Sequence, residues 1–414
     1  MSSGVSCAPT HDASITSEHD VQVELIRNGF CPNHPDIQLC KKNWFGFWKT
    51  VRDSCPKCDR LNITRGATAP VTPMPQQSPS LPATQIPTTS IPSPIAKILS
   101  KMRMNERNAN IQEEGLMELR NLALNENNRV TIAEAGGITT ILSAMKTHSS
   151  NATVQEKGCG ALWNLASNND KNQVTIAEAG GITTILSAMK THSSNATVQE
   201  KGCGALMNLA LNENNRVTIA DAGGIAMILT AMKTHLPNAK VQENGCSTLF
   251  VLSYNNDNNK VEIADAGGIT MILTLMKTHL FNAKVQYLCC AALSNLADNN
   301  EKNKVTIAAA EGITTIVSAM NNHSSNSDVQ HYGCAALQNL AMNDNNKVMI
   351  AETGGIPTIV SVMKYHSSNI NVQHYGCAAL GTLAVNDNNK KMHDCCCRRY
   401  SYDCVCNELS FRQC

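Results

Sequence analysis

A Gly-Ile step falls at Ile138, Ile182, Ile225, Ile269, Ile313 and Ile356, at intervals of 44, 43, 44, 44 and 43 residues. A period of this size restricts the fold severely. Each unit is one supersecondary module that cannot bury its apolar face alone, so successive units must stack. The product is a helical solenoid, an elongated surface suited to holding other molecules.

The unit starting near Asn127 shows how the module is built. Asn127 to Ala135 reads as a short helix, stopped by Gly136 and Gly137, because glycine readily adopts the left-handed conformation at a helix C-terminus. Ile138, Ile141, Leu142 and Met145 follow at i, i+3, i+4 and i+7, the apolar face of a second helix. Ser149, Ser150 and Asn151 offer N-caps for a third, on which Val154, Gly158, Leu162 and Leu165 line one side. The layer is therefore predicted to hold three helices. Residues 131–162 and 175–206 are identical, the mark of an internal duplication.

These phrases resemble the armadillo repeat family. The resemblance rests on the Gly-Gly-Ile openings, on helix ends such as Ile176 to Ala179, and on Ala-Leu-Trp-Asn-Leu-Ala at Ala161 to Ala166. The third-helix form recurs seven times, starting at Ile111, Val154, Val198, Val241, Val285, Val329 and Val372. The similarity runs from Pro94 to Lys390, about 70% of the chain. It extends to the armadillo stretches of some large signalling kinases, although no kinase signature is present here. The implied fold is an all-α, right-handed armadillo-type α-solenoid of about six and a half three-helix repeats.

In that family the third helices line the concave face, and an Asn near their end holds the backbone of an extended peptide. Matching the Leu-Xaa-Asn-Leu step places this Asn at Asn121, Asn164, Asn208, Asn295 and Asn339, with breaks at Val251 and Thr382. An amide can pair with both C=O and N–H of a peptide without reading its side chains, though the same Asn could simply cap or hydrate a helix end. The family's nuclear-import carriers also place a Trp four residues before the Asn. Here those positions hold Met117, Gly160, Gly204, Ser247, Ala291, Ala335 and Ala378, and Trp163 falls off the matching site, immediately before Asn164. The reading is a smooth groove without lysine slots.

Eight residues before each Asn position, on the same helical face, stand Glu113, Glu156, Glu200 and Glu243, then Tyr287, His331 and His374. One step on, Lys157 and Lys201 give way to Leu288, Tyr332 and Tyr375. The first half of the groove is thus acidic with interspersed Lys, or simply a solvated charged face. The second half is lined by Tyr and His, and exposed Tyr is enriched where proteins bind. The expected partner is a protein segment lying extended, basic toward the first repeats and apolar or acidic toward the last. Layers about 9 Å apart give a groove of about 54 Å, room for roughly 16 extended residues.

Near the N-terminus, Cys31-Pro-Asn-His34 and Cys55-Pro-Lys-Cys58 pair thiolate and imidazole at a spacing that can close one tetrahedral structural zinc site. Trp44, Phe45, Phe47 and Trp48 lie between them, and a module this small needs a metal staple to fold. Cys40 could replace His34. The organisation read from the chain is a disordered N-terminus over 1–27, a zinc-knuckle-like module over 28–60, a disordered linker over 61–94, the repeat domain over 95–390 and a Cys-rich tail over 391–414. The linker carries eight prolines among Thr, Ser, Gln and Ala, a composition that cannot pack. After Asn389 the repeat phrase stops and the chain reads Cys395-Cys396-Cys397-Arg398-Arg399.

The remaining composition narrows the function. Net charge is +1, which gives no bulk drive toward nucleic acid or anionic lipid. No apolar run is long enough to cross a membrane. The eighteen cysteines fall mainly into an N-terminal cluster, a C-terminal cluster and a periodic set at Cys159, Cys203, Cys246, Cys290, Cys334 and Cys377. The periodic set reads as small buried hydrophobes in a reducing compartment, so the expected location is cytoplasm or nucleus. His148, His192, His235, His279, His323 and His366 recur in register at the end of helix two and read as a by-product of duplication that suits the helix dipole. No phosphate loop or nucleophile motif is present, and no small-molecule substrate is expected. The reading is a non-enzymatic scaffold or adaptor; the alternative is a nucleic-acid-associated or ubiquitin-pathway adaptor acting through the N-terminal module.

Overall fold

The computed structural model describes residues 93–385 and the backbone of four short strands nearer the N-terminus. Strands β1 (Phe30–Cys31) and β2 (His34–Gln38) pair antiparallel, with Cys31 opposite His34, and β3 (Cys40–Lys42) pairs antiparallel with β4 (Trp48–Thr50). They belong to a unit, Met1–Thr89, separate from Ser90–Cys414. Cys55, Cys58, the linker as far as residue 92 and the Cys-rich tail lie outside the described residues, as do the side chains of Cys31 and His34.

Twenty helices make up the described part of the second unit. It opens with α1 (Pro94–Met104) and α2 (Ala109–Leu122), which correspond to the second and third helices of a layer. Six full layers follow. They comprise α3 (Glu126–Glu134), α4 (Gly137–Thr147) and α5 (Ala152–Ala166); α6 (Asp170–Glu178), α7 (Gly181–Thr191) and α8 (Ala196–Leu209); then α9 (Glu213–Asp221), α10 (Gly224–Thr234) and α11 (Ala239–Ser253). The remaining three comprise α12 (Asp257–Asp265), α13 (Gly268–Thr278) and α14 (Ala283–Ala297); α15 (Glu301–Ala309), α16 (Gly312–Asn322) and α17 (Ser327–Leu340); and α18 (Asp344–Glu352), α19 (Gly355–Tyr365) and α20 (Ile370–Ala384).

Local sequence sets these boundaries. Of the three candidate caps before α5, Asn151 is the one used: its Oδ1 accepts from the amides of Thr153 and Val154 at 2.9 and 3.1 Å, satisfying two of the donors a helix start leaves unpaired. Gly136 turns the chain between α3 and α4 at φ +75°. Its neighbour Gly137 has a different reason to be glycine, since a Cβ there would lie 2.4 Å from Ile132 Cγ2. At the corresponding turn before α16, Glu311 takes the left-handed conformation instead, at φ +64°.

The recurrent Val-Gln pair also has a physical role. The Gln155 amide donates from Nε2 to Met145 O at 2.8 Å and His148 O at 2.9 Å, closing the C-terminal carbonyls of helix two from inside the core. Gln112, Gln199, Gln242, Gln286, Gln330 and Gln373 repeat the arrangement. The periodic His residues are interlayer ties rather than by-products of duplication. Each places Nε2 against a carbonyl of the preceding layer's loop, as His192 does with Ser149 O at 2.8 Å and His235 with Ser193 O at 2.7 Å.

Between layers the core is aliphatic, with Ile141, Leu162 and Leu165 wholly buried, each burial contributing about 1.5–3 kcal/mol. The third helix comes close to the second because it carries glycine at the crossing: a Cβ on Gly158 would lie 2.4 Å from Met145 Cγ. Gly115, Gly202, Gly245, Gly333 and Gly376 meet their own Met in the same way. In α14 this position is Cys289.

Candidate peptide groove

The third helices α2, α5, α8, α11, α14, α17 and α20 pack in sequence, each on the next. Phe250 on α11 and Tyr332 on α17 are two layers apart, yet their rings meet edge to face with centroids 6.2 Å apart. Side chains can touch across an intervening helix only on the inside of a bend. The third helices therefore form the concave wall.

The groove floor is made by interlocking neighbours. Trp163 on α5 lies over Gly204 on α8, so close that a Cβ on Gly204 would lie 2.7 Å from the indole Cδ2. Arg120 covers Gly160 similarly, its Cδ 3.1 Å from the corresponding Cβ position. The two glycines four positions before the Asn, Gly160 and Gly204, are thus covered from the preceding layer.

The Asn ladder serves the same stacking. Asn164 donates to Arg120 O at 2.9 Å, Asn208 to Trp163 O at 2.8 Å, Asn295 to Phe250 O at 3.0 Å and Asn339 to Ser294 O at 2.9 Å. At Asn164, Asn208 and Asn295 the bond uses one amide N–H and leaves the second N–H and Oδ1, whereas the Asn339 amide also donates to Ser294 Oγ at 3.1 Å. Asn208 is itself buried at 3% exposure, whereas Asn121, in the first third helix, is exposed. Val251 and Thr382 interrupt the ladder, and the Thr382 hydroxyl turns back to Ala378 O at 2.9 Å.

The acidic row is largely compensated by its own lysines. Glu113 accepts from Asn151 Nδ2 at 3.0 Å and lies 3.9 Å from Lys157. Glu200 pairs with Lys201, whose ammonium sits 5.4 Å from the centre of the Trp163 ring. Glu243 is 5% exposed and holds Lys240 and Lys284, each at 3.0 Å. Burial alone would raise its pKa, but the two lysine hydrogen bonds outweigh it and hold the carboxyl below its ordinary value. Glu156 alone of the four forms no ion pair among the described residues.

In the second half the rings stack on one another. Tyr287 stacks on Tyr332 at 5.7 Å, His331 on Tyr332 at 4.3 Å, His331 meets Tyr375 at 4.8 Å, and Tyr375 meets His374 edge to face at 5.0 Å. Tyr332, read from the sequence as exposed lining, is only 8% exposed; it fills the floor beneath its neighbours. His374 is exposed, and Tyr287 and Tyr375 are half-buried. Burial pushes the phenol pKa of Tyr287 and Tyr375 upward. Burial, reinforced by His374 and opposed by Asp328, takes His331 down to about 4. Phe250 was not singled out by the sequence reading, since it sits one position before the broken Asn step at Val251, where the pattern draws no attention.

This geometry is that of an armadillo repeat solenoid. The LRRK2 ARM repeat family matches residues 93–390, and the chain belongs to it. Among solved structures, an engineered protein is 24% identical, covers 73% of this chain and 71% of its own, and superposes with a TM-score of 0.65. A β-catenin structure, from work on a phosphorylation switch controlling its interaction with cadherin, is 16% identical, with a TM-score of 0.62 over 72% of this chain and 54% of that one. A designed armadillo repeat protein in complex with the peptide (KR)4 is 17% identical, with a TM-score of 0.53 over 60% of this chain and 100% of its own. At these identities the likeness shows the fold. Curated protein sequences gave no match. The armadillo repeat fold is typically a non-enzymatic, protein-binding scaffold.

Proposed function

We propose that this protein is a scaffold or adaptor that binds an extended segment of another protein along the concave face of its third helices, without catalysing a reaction. The observation that carries the reading is the bend itself. It brings Asn164, Asn208, Asn295 and Asn339 to one wall, where the part-exposed Asn164 and Asn295 retain an amide N–H and Oδ1 after tying their layers to the last. Such groups can pair with an extended backbone independently of its sequence. Glu156 and Glu200 favour basic residues near the first layers, and the Tyr287, Tyr375 and His374 surface favours apolar or acidic ones near the last. The peptide (KR)4 bound by the designed neighbour agrees with the basic end of this preference. An array of 16-residue peptides with a basic cluster at one end, both ends or neither, probed with the full chain, should retain protein chiefly on the one-ended basic members. Equal retention on all of them would refute the assignment.

A structural zinc at Cys31, His34, Cys55 and Cys58 belongs to the same proposal. The antiparallel pairing of Cys31 with His34 supports it by bringing the ends of one ligand pair opposite each other. Elemental analysis of protein purified without chelators should give one zinc per chain, and zinc-free folded protein would contradict it. A site in the cytoplasm or nucleus is proposed with it, consistent with the buried thiols at Cys159, Cys203, Cys246, Cys289, Cys290 and Cys334.

A further inference from the structure

The periodic cysteines are spaced one per layer, so their thiols follow the stacking of the third helices. Cys289 is different. It stands where the other third helices carry Gly115, Gly158, Gly202, Gly245, Gly333 and Gly376. Its side chain points toward the preceding layer, and Cys289 Sγ lies 3.6 Å from Cys246 Sγ. Both residues have 0% exposure. A second thiol has thus been added, at a position the repeat reserves for glycine, in direct contact with a thiol of the neighbouring helix.

We propose that Cys246 and Cys289 are an oxidation site at which a small two-electron oxidant of the hydroperoxide class joins α11 to α14 through a disulfide. One sulfur attacks a peroxide oxygen, the O–O bond breaks, and hydrogen peroxide yields a sulfenic acid and one water. The second sulfur then attacks the sulfenic sulfur. The S–O bond breaks, and the departing hydroxide takes up the second thiol's proton as another water. Two thiols lose two electrons in total and one peroxide gains them, giving one disulfide and two waters.

Burial shapes the selectivity of this site. It pushes the Cys289 thiol well above its ordinary pKa, which keeps the thiolate scarce and the reaction slow. It also excludes bulky disulfides and favours a small neutral oxidant that enters during local opening. Once a sulfenic acid forms, a partner sulfur in contact captures it before further oxidation.

The link has a structural consequence. The sulfurs close from 3.6 Å to about 2.05 Å, fixing the spacing of α11 and α14 where the groove lining changes. Glu243 lies three residues before Cys246 and Tyr287 two before Cys289. A bond closing a loop between residues 43 apart also constrains the unfolded chain.

The test uses the full chain treated with hydrogen peroxide, blocked with N-ethylmaleimide, digested without reduction and mapped by mass spectrometry. A peptide linking Cys246 to Cys289, lost on reduction, is expected, with the thermal midpoint of the oxidised protein raised by several degrees. Cys289→Gly restores the residue of the other repeats, should fold, and should show neither the link nor the rise. Recovery of both thiols as maleimide adducts or as sulfinic acid would overturn the proposal. So would a Cys289–Cys290 link, or an equal rise in Cys289→Gly.

Discussion

Gly158 has no side chain, and its value to the fold follows from that. A methyl group placed there would lie 2.4 Å from Met145 Cγ and 2.6 Å from its sulfur. The thioether can bend away, but only into a filled core. Gly158→Ala should destabilise the protein by about 1–3 kcal/mol, measured as a fall in the urea midpoint; an unchanged midpoint would show that α4 and α5 have slack. His331 supplies a residue-scale test with a direction in pH. Folding lowers its pKa from 6.5 to about 4, so in that interval the unfolded chain binds the extra proton. Its contribution to stability is complete above about pH 6.5 and is lost as the pH falls toward 4. Between pH 7 and pH 4.5, wild type should lose more stability than His331→Phe, which keeps a ring against Tyr332 and Tyr375. Parallel losses in the two proteins would refute the assignment.

At the scale of elements, the internal duplication offers an experiment. Because residues 131–162 repeat as 175–206, removing 131–174 joins two layers in register: it deletes α4 and α5 and fuses the first half of α3 to the second half of α6. Layers contact only their neighbours, so stability is roughly a sum of unit and interface terms. The shortened protein should remain helical by circular dichroism and melt cooperatively a few degrees lower. Loss of the folded state would mean that the layers are not interchangeable. How much of these elements could be read beforehand depended on what encodes them. The helices were legible because glycine pairs, Asn caps and apolar spacing are local signals. The ties between layers were not. His192 meets a carbonyl 43 residues away and Asn208 one 45 away, and periodicity shows that such residues recur without showing what they touch. Tyr332 was misjudged for the same reason, since its burial depends on Phe250 two layers back. Cys289 escaped notice because attention to the repeating position favours residues that recur over the one that departs.

For the whole molecule, the wall that could bind a partner is also the wall that holds the layers together. Asn164 and Asn295 stack helices with one N–H and retain polar capacity toward the groove, while most of the acidic row is neutralised by its own lysines. Specificity should therefore reside in Glu156, which forms no ion pair among the described residues, in the Glu200–Lys201 pair beside Trp163, and in the exposed ring surface of Tyr287, Tyr375 and His374. The most direct measurement is fluorescence polarisation of a labelled alternating Lys-Arg octapeptide, titrated with wild type and with the double variant Glu156→Gln, Glu200→Gln. Two lost charge contacts of up to about 1 kcal/mol each predict wild-type binding that weakens with salt and falls about tenfold in the double variant. Equal affinity in the two proteins, or no binding by either, would contradict the account of the groove.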